Sequence, residues 1–228
     1  MFEQVPADYS FLRMHIHPPS GGDTLWASGV EMYNRMSRPM QKYLQGLTLT
    51  ADQTNNLVSA AKKGGFELWT EPRGHPLNSG TDFTPAHPVV RTNPVTGLNS
   101  IYGVGLHVQK INDVTKAESD YLKQMFLDTL TRNHDMQVRF RWLPKSCAIW
   151  DNRSVYHAAT PDFDDKYERL GVRYTGVGER PYFDPATEEM ENAIPLADRI
   201  LHANGAAKEA NGKGANGQDA AREAMAIH

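Results

Sequence analysis

The placement of its strand-like segments constrains this chain most: they stand toward both ends, with helical patterns between them. "YSFLRMHIH" (Tyr9 to His17) reads as a strand that begins without any lead-in. "CAIWDN" and "LGVRYTGV" read as two more strands, expected to flank that opening segment. Val138, Phe140 and Trp142 alternate with Arg139 and Arg141, which predicts a strand with one buried face. "HPVVRTNPVTGLNSIYGV" predicts a hairpin turned at Asn-Pro and Thr-Gly. This order argues for a mainly β fold with helical insertions, a sandwich or barrel.

The helical signals are local. Ser28 and Glu31 have capping-box spacing ahead of Val30, Tyr33 and Met36, and Pro39 restarts the helix before Met40, Tyr43, Leu44 and Leu47. Another helix is expected over Asp52 to Lys63, stopped by Gly64 and Gly65. Thr115 and Glu118 form a second capping box, leading through Tyr121, Leu122, Met125, Phe126 and Leu130. Glu71 to Ala86 reads as loop. One domain is expected over residues 1–188, and 189–228, rich in Ala, Gly, Asn and Lys, reads as a disordered or weakly helical tail without a catalytic role.

Composition excludes some functions. A net charge of -3 and a pI near 6.3 give no field for phosphate backbones, so nucleic acid is not an expected partner. Cys147 is the sole cysteine, which rules out an intrachain disulfide and a cysteine zinc cluster. No apolar run has transmembrane length and the first residues lack signal-peptide order. A cytoplasmic protein that forms homo-oligomers and does not bind membranes is the expectation.

The chemistry gathers in "IWDNRSVYHAATPDFDDKYERLGVRYTGV". His157, just beyond a strand and a polar turn, is read either as a structural histidine or as a metal ligand. Arg169 and Arg173 lie four apart, which in a strand places both on one face. They form either a solvated face paired with Asp164, Asp165 or Glu168, or anchors for a small anion. Gly21, Gly22 and Thr24 give a tight turn with a hydroxyl donor beside it. Trp26 and Tyr102 either pack in the core or line an organic substrate pocket.

Several separated motifs in order, "PPSGGDTLWAS", "HPVVRTNPVTG", "VRFRW" and "AIWDNRSVYHAAT" followed by "RLGVR", resemble the taurine dioxygenase-like (TauD/TfdA) family of non-haem iron(II), 2-oxoglutarate-dependent dioxygenases. "GVGERPYFDP" resembles its fungal members. The resemblance covers most of residues 2 to 185. It implies a double-stranded β-helix, or jelly roll, with Fe(II) as cofactor, 2-oxoglutarate as cosubstrate, and dioxygen and a small anionic substrate as reactants. His157 is similar to the distal histidine of the family's two-His, one-carboxylate triad. Thr24 and Arg169 resemble the pair that binds the far carboxylate of 2-oxoglutarate, and Arg173 the arginine that receives the substrate's anionic group. Asp151 and Asn152 would orient the metal site. The implied reaction hydroxylates taurine or another alkylsulfonate and releases sulfite.

The family's other two ligands come from an HxD motif, and no histidine in this sequence has an acid two residues later. Three explanations are open. The chain begins within the fold, N-terminally incomplete, with the motif falling before Met1; or it is a shortened relative that only binds; or His15 and His17 substitute beside His157. As it stands, the chain is expected to be inactive with 2-oxoglutarate, less stable than a complete homologue, and prone to associate.

Overall fold

The computed structural model describes residues 1–163 and 167–187. In chain order these form β1 (Tyr9–Ile16), β2 (Thr24–Ser28), α1 (Gly29–Asn34), α2 (Arg38–Gln45), β3 (Thr48–Ala51), α3 (Thr54–Gly64), β4 (Ala86–Pro88), β5 (Val90–Thr92), β6 (Asn99–Ile101), β7 (Val108–Ile111), α4 (Lys116–Arg132), β8 (Gln137–Phe140), β9 (Cys147–Asp151), β10 (Val155–Ala159) and β11 (Leu170–Thr175). Strands thus predominate in number over helices. The expected tail, 189–228, lies outside the described residues, as do Asp164 and Asp165.

The strands pair into small antiparallel sheets ordered β11-β1-β9, β10-β2-β8, β4-β3-β7 and β5-β6; the described residues form no closed barrel. The opening strand is flanked as expected: Phe11 stands opposite Tyr174 on one side and Ile149 on the other. The hairpin between β5 and β6 also forms.

Local signals explain the helix ends. Ser28 accepts from the Glu31 amide, but the Glu31 side chain binds Asn34 instead of closing a capping box. Thr115 and Glu118 close theirs fully at the start of α4. Gly65 ends α3 in the left-handed conformation at φ 66°, which a residue with a Cβ adopts only with strain.

The core sits between the helices and the middle strands. Met32 and Tyr33 of α1, Leu44 of α2, Leu49 of β3, Ile101 of β6, Ile111 of β7 and Phe126 of α4 are all sealed from solvent within one cluster. Each such side chain contributes about 1.5–3 kcal/mol relative to exposure.

One expected strand face is not buried. Val138 is 61% exposed although Trp142 is 3% exposed. β8 is an edge strand that ends at Phe140, so the alternation does not extend to Trp142. The outer face of β11-β1-β9 is likewise open, with Ile149 and Tyr174 more than half exposed. No helix of the described residues is long and apolar enough to cross a membrane.

Candidate functional site

A cleft of about 800 Å³ opens where β11-β1-β9 meets β10 and the loops before β4 and β7. Strand alternation sets which side chains reach it. On β1 and β11, Ser10 opposes Thr175 and Leu12 opposes Arg173, so Ser10, Arg173 and Thr175 share the inner face while Phe11 and Tyr174 point out. His157 stands on β10 opposite Trp26 of β2. The cleft lining includes His157, Arg173, Tyr102 and Asn152, together with His107 and Arg73, which the sequence had not marked.

The His157 ring packs on Trp150, with centroids 4.9 Å apart and planes at 53°. Trp150 is held in turn: its Nε1 donates to Asn152 Oδ1 at 2.8 Å, and Asn152 Nδ2 donates to Ser10 Oγ at 2.8 Å and the Asp8 carbonyl at 3.1 Å. Asn152 thus bonds Trp150, on which the His157 ring packs. Burial lowers the His157 pKa, and the positive charge of Arg173 lowers it further. Both effects favour the neutral imidazole, the form that can ligate a metal.

Asp151 is engaged elsewhere. Arg153 donates to its carboxylate from Nε at 2.8 Å and from Nη2 at 2.9 Å, and Asn93 Nδ2 adds a bond at 2.9 Å. Burial alone would raise this carboxyl, but the hydrogen bonds from Arg153 and Asn93 outweigh it and hold the pKa low. Arg153 Nη1 also reaches Glu179, which accepts from Arg91 Nη2 at 2.5 Å. The Asp151 carboxylate is thus held by Arg153 and Asn93 and not by His157.

Thr24 and Arg169 both lie outside the cleft lining. Trp142 Nε1 donates to Thr24 Oγ1 at 2.9 Å, and Arg169 Nε donates to the Gly22 carbonyl at 2.9 Å. Gly21 and Gly22 both have positive φ, and a Cβ on Gly21 would fall 2.0 Å from the Asp162 carbonyl oxygen. Only glycine lets this turn close on that segment. Arg169 and Arg173, expected on one face, therefore occupy separate surroundings, because Arg169 precedes the first residue of β11.

Trp26 makes edge contacts with Trp150 at 5.5 Å and Phe140 at 5.9 Å and does not line the cleft. Tyr102 does line it, with Arg91 over its ring at 4.9 Å and the His87 ring 5.7 Å away. Burial pushes the Tyr102 hydroxyl up to about 12.

The described residues hold no group of three His, Cys, Asp or Glu side chains able to bind a metal. The substitution of His15 and His17 for missing ligands is thereby corrected. His15 falls at a register shift of β1 between Met14 and Ile16, and His17 lies past the strand end with Nδ1 at 2.9 Å from the Pro18 carbonyl. His15 is on β1 of the β11-β1-β9 sheet, whereas His157 belongs to β10-β2-β8.

Residues 1–175 match the family model described as "Taurine catabolism dioxygenase TauD, TfdA family". An alpha-ketoglutarate-dependent dioxygenase of Neocamarosporium betae is 48% identical over 192 residues, covering 81% of this chain and 55% of that protein. An alpha-ketoglutarate-dependent sulfonate dioxygenase of Saccharomyces cerevisiae is 31% identical over 194 residues, covering 85% and 44%. The chain thus spans about half the length of the curated relatives it matches. A crystal structure of a taurine dioxygenase from Burkholderia xenovorans superposes with a TM-score of 0.64 at 26% identity, covering 86% of this chain and 64% of that one. On the extent of the family match and the similarity to the N. betae protein, this chain belongs to the TauD, TfdA dioxygenase family.

Proposed function

We propose that this chain carries the anion-receiving side of an iron(II)- and 2-oxoglutarate-dependent dioxygenase site, in a domain of jelly-roll kind spanning residues 1–188. The substrate in this reading is a small anion, taurine or another alkylsulfonate, oxidised with dioxygen and losing sulfite. One observation carries it: His157 and the Arg173 guanidinium line the same cleft. Arg is suited to a sulfonate because its charge is permanent and its planar fork donates two parallel hydrogen bonds. The yeast relative named for sulfonates supports the choice of anion. Thr24 keeps its own hydroxyl proton while accepting from Trp142, which supports its role with Arg169 toward the 2-oxoglutarate carboxylate.

The residues present do not fit a complete iron centre. His157 is one donor, no described cluster supplies three, and the sequence contains no HxD or HxE. A single imidazole leaves neither the affinity nor the geometry that selects iron. The chain by itself is therefore read as binding anions without turnover. The same donor count favours a second reading, a non-catalytic chain that binds a small anion or a partner. The open face bearing Ile149 and Tyr174 supports self-association into a homo-oligomer, in the cytoplasm on this reading.

The test is succinate release from 2-oxoglutarate by the pure 228-residue chain with iron(II), ascorbate and a panel of alkylsulfonates, alongside calorimetric titration of the same sulfonates. Saturable binding without substrate-dependent succinate is expected. Robust turnover would overturn the incompleteness of the metal site, and absence of any sulfonate binding would overturn the anion reading.

A further inference from the structure

His107 shares the cleft with Arg173 and has no part in the site proposed above. It stands two residues after Gly105, whose φ of 110° turns the chain, and its carbonyl accepts from the Asp52 amide at 2.8 Å. The ring meets Phe2 edge-on, with centroids 5.7 Å apart. Its Nδ1 is buried and has no hydrogen-bond partner, whereas Nε2 is not among the buried unpartnered atoms. Burial, more than the nearby amino terminus, lowers its pKa and favours the neutral ring, which carries one proton.

The position of that proton follows from the surroundings. On Nδ1 it would be a buried N–H with no acceptor, which is the rarer and more unfavourable arrangement. On Nε2 it remains available to water or a ligand. We propose that His107, as its Nε2–H tautomer, is a second donor of the cleft, and that the preferred anion carries an acceptor oxygen besides the group received by Arg173. This rests on the anion reading of Arg173 and narrows it. Among alkylsulfonates, those with a hydroxyl or carboxylate oxygen on the chain fit, and taurine, whose ammonium offers no acceptor, fits less well.

The experiment compares 2-hydroxyethanesulfonate with ethanesulfonate by titration calorimetry on the 228-residue chain and on two variants. His107→Gln places an amide nitrogen where Nε2 stood, while His107→Phe keeps a ring without a donor. Ring 15N shifts of the unsubstituted protein report the tautomer independently of any variant. The hydroxylated sulfonate is expected to bind about fivefold more tightly, the size of one net hydrogen bond. That preference should persist in His107→Gln and vanish in His107→Phe, with 15N shifts of an Nε2–H ring. An unchanged preference in His107→Phe, or shifts of an Nδ1–H ring, would overturn the proposal while leaving Arg173 standing. Failure of both sulfonates to bind the unsubstituted chain would overturn the anion reading, and this proposal with it.

Discussion

Arg153 and Arg173 stand twenty residues apart and have opposite fates. Arg153 is sealed between β9 and β10, bonded to Asp151 and Glu179 and laid over the Tyr9 ring at 4.7 Å. Arg173 is exposed on the inner face of β11, looking into the cleft. The first closes an ion network that also holds Arg91, whose side chain is fully buried. The second charge is left toward solvent, where a ligand can meet it. A guanidinium becomes structural or functional by the carboxylates folded against it, and those are placed by turns and not by spacing along the chain.

The largest expected effect tests the structural half. Arg153→Ala leaves Asp151 and Glu179 without their main partner and should lower stability by about 3–5 kcal/mol, measured by urea unfolding. Arg173→Ala should change it by no more than about 0.5 kcal/mol. Equal losses would erase the distinction between the two arginines.

Acid should weaken the buried side next. Burial first, and the nearby amino terminus second, hold the His87 pKa at about 4. The unfolded chain takes up this proton near pH 6.5, so the unfolded state binds more protons between those values and stability falls as pH drops through the window. His87 should account for about 3 kcal/mol of that loss, and His87→Gln, which keeps a donor toward the Met1 and Glu3 carbonyls, should flatten it. A slope undiminished by the substitution would assign the acid sensitivity to other groups, the buried amino terminus first.

How far these two regions could be read in advance differs. The flanking of β1 by "CAIWDN" and "LGVRYTGV", the β5–β6 hairpin and the Thr115 capping box follow from alternation and turn chemistry, which act over a few residues. The open face of Val138 does not, because burial at an edge depends on what covers it. His157 and Arg173 were legible as residues of interest. The polar turn before His157 was legible too and closes by the Arg153 amide donating to Asp151; the return of the Arg153 guanidinium onto the same carboxylate was not. Arg169 was misplaced because strand alternation was applied to a residue outside the strand. His107 and Arg73 reach the cleft from loops, where no period marks them.

Two smaller effects sharpen the contrast. Arg173→Gln should weaken sulfonate binding about tenfold, the loss of a charge-assisted hydrogen bond. Thr115→Ala, at the start of α4, should remove about 1 kcal/mol of stability and leave sulfonate affinity unchanged, which separates loss of folding from loss of binding.

The most direct measurement follows the His157 ring resonances while ethanesulfonate is titrated into the 228-residue chain and into Arg173→Gln. If the cleft is an anion site shared by these two residues, the His157 signals shift and saturate, and the midpoint moves about tenfold higher in the variant. An unchanged midpoint in Arg173→Gln, or no saturable shift at all, would contradict it.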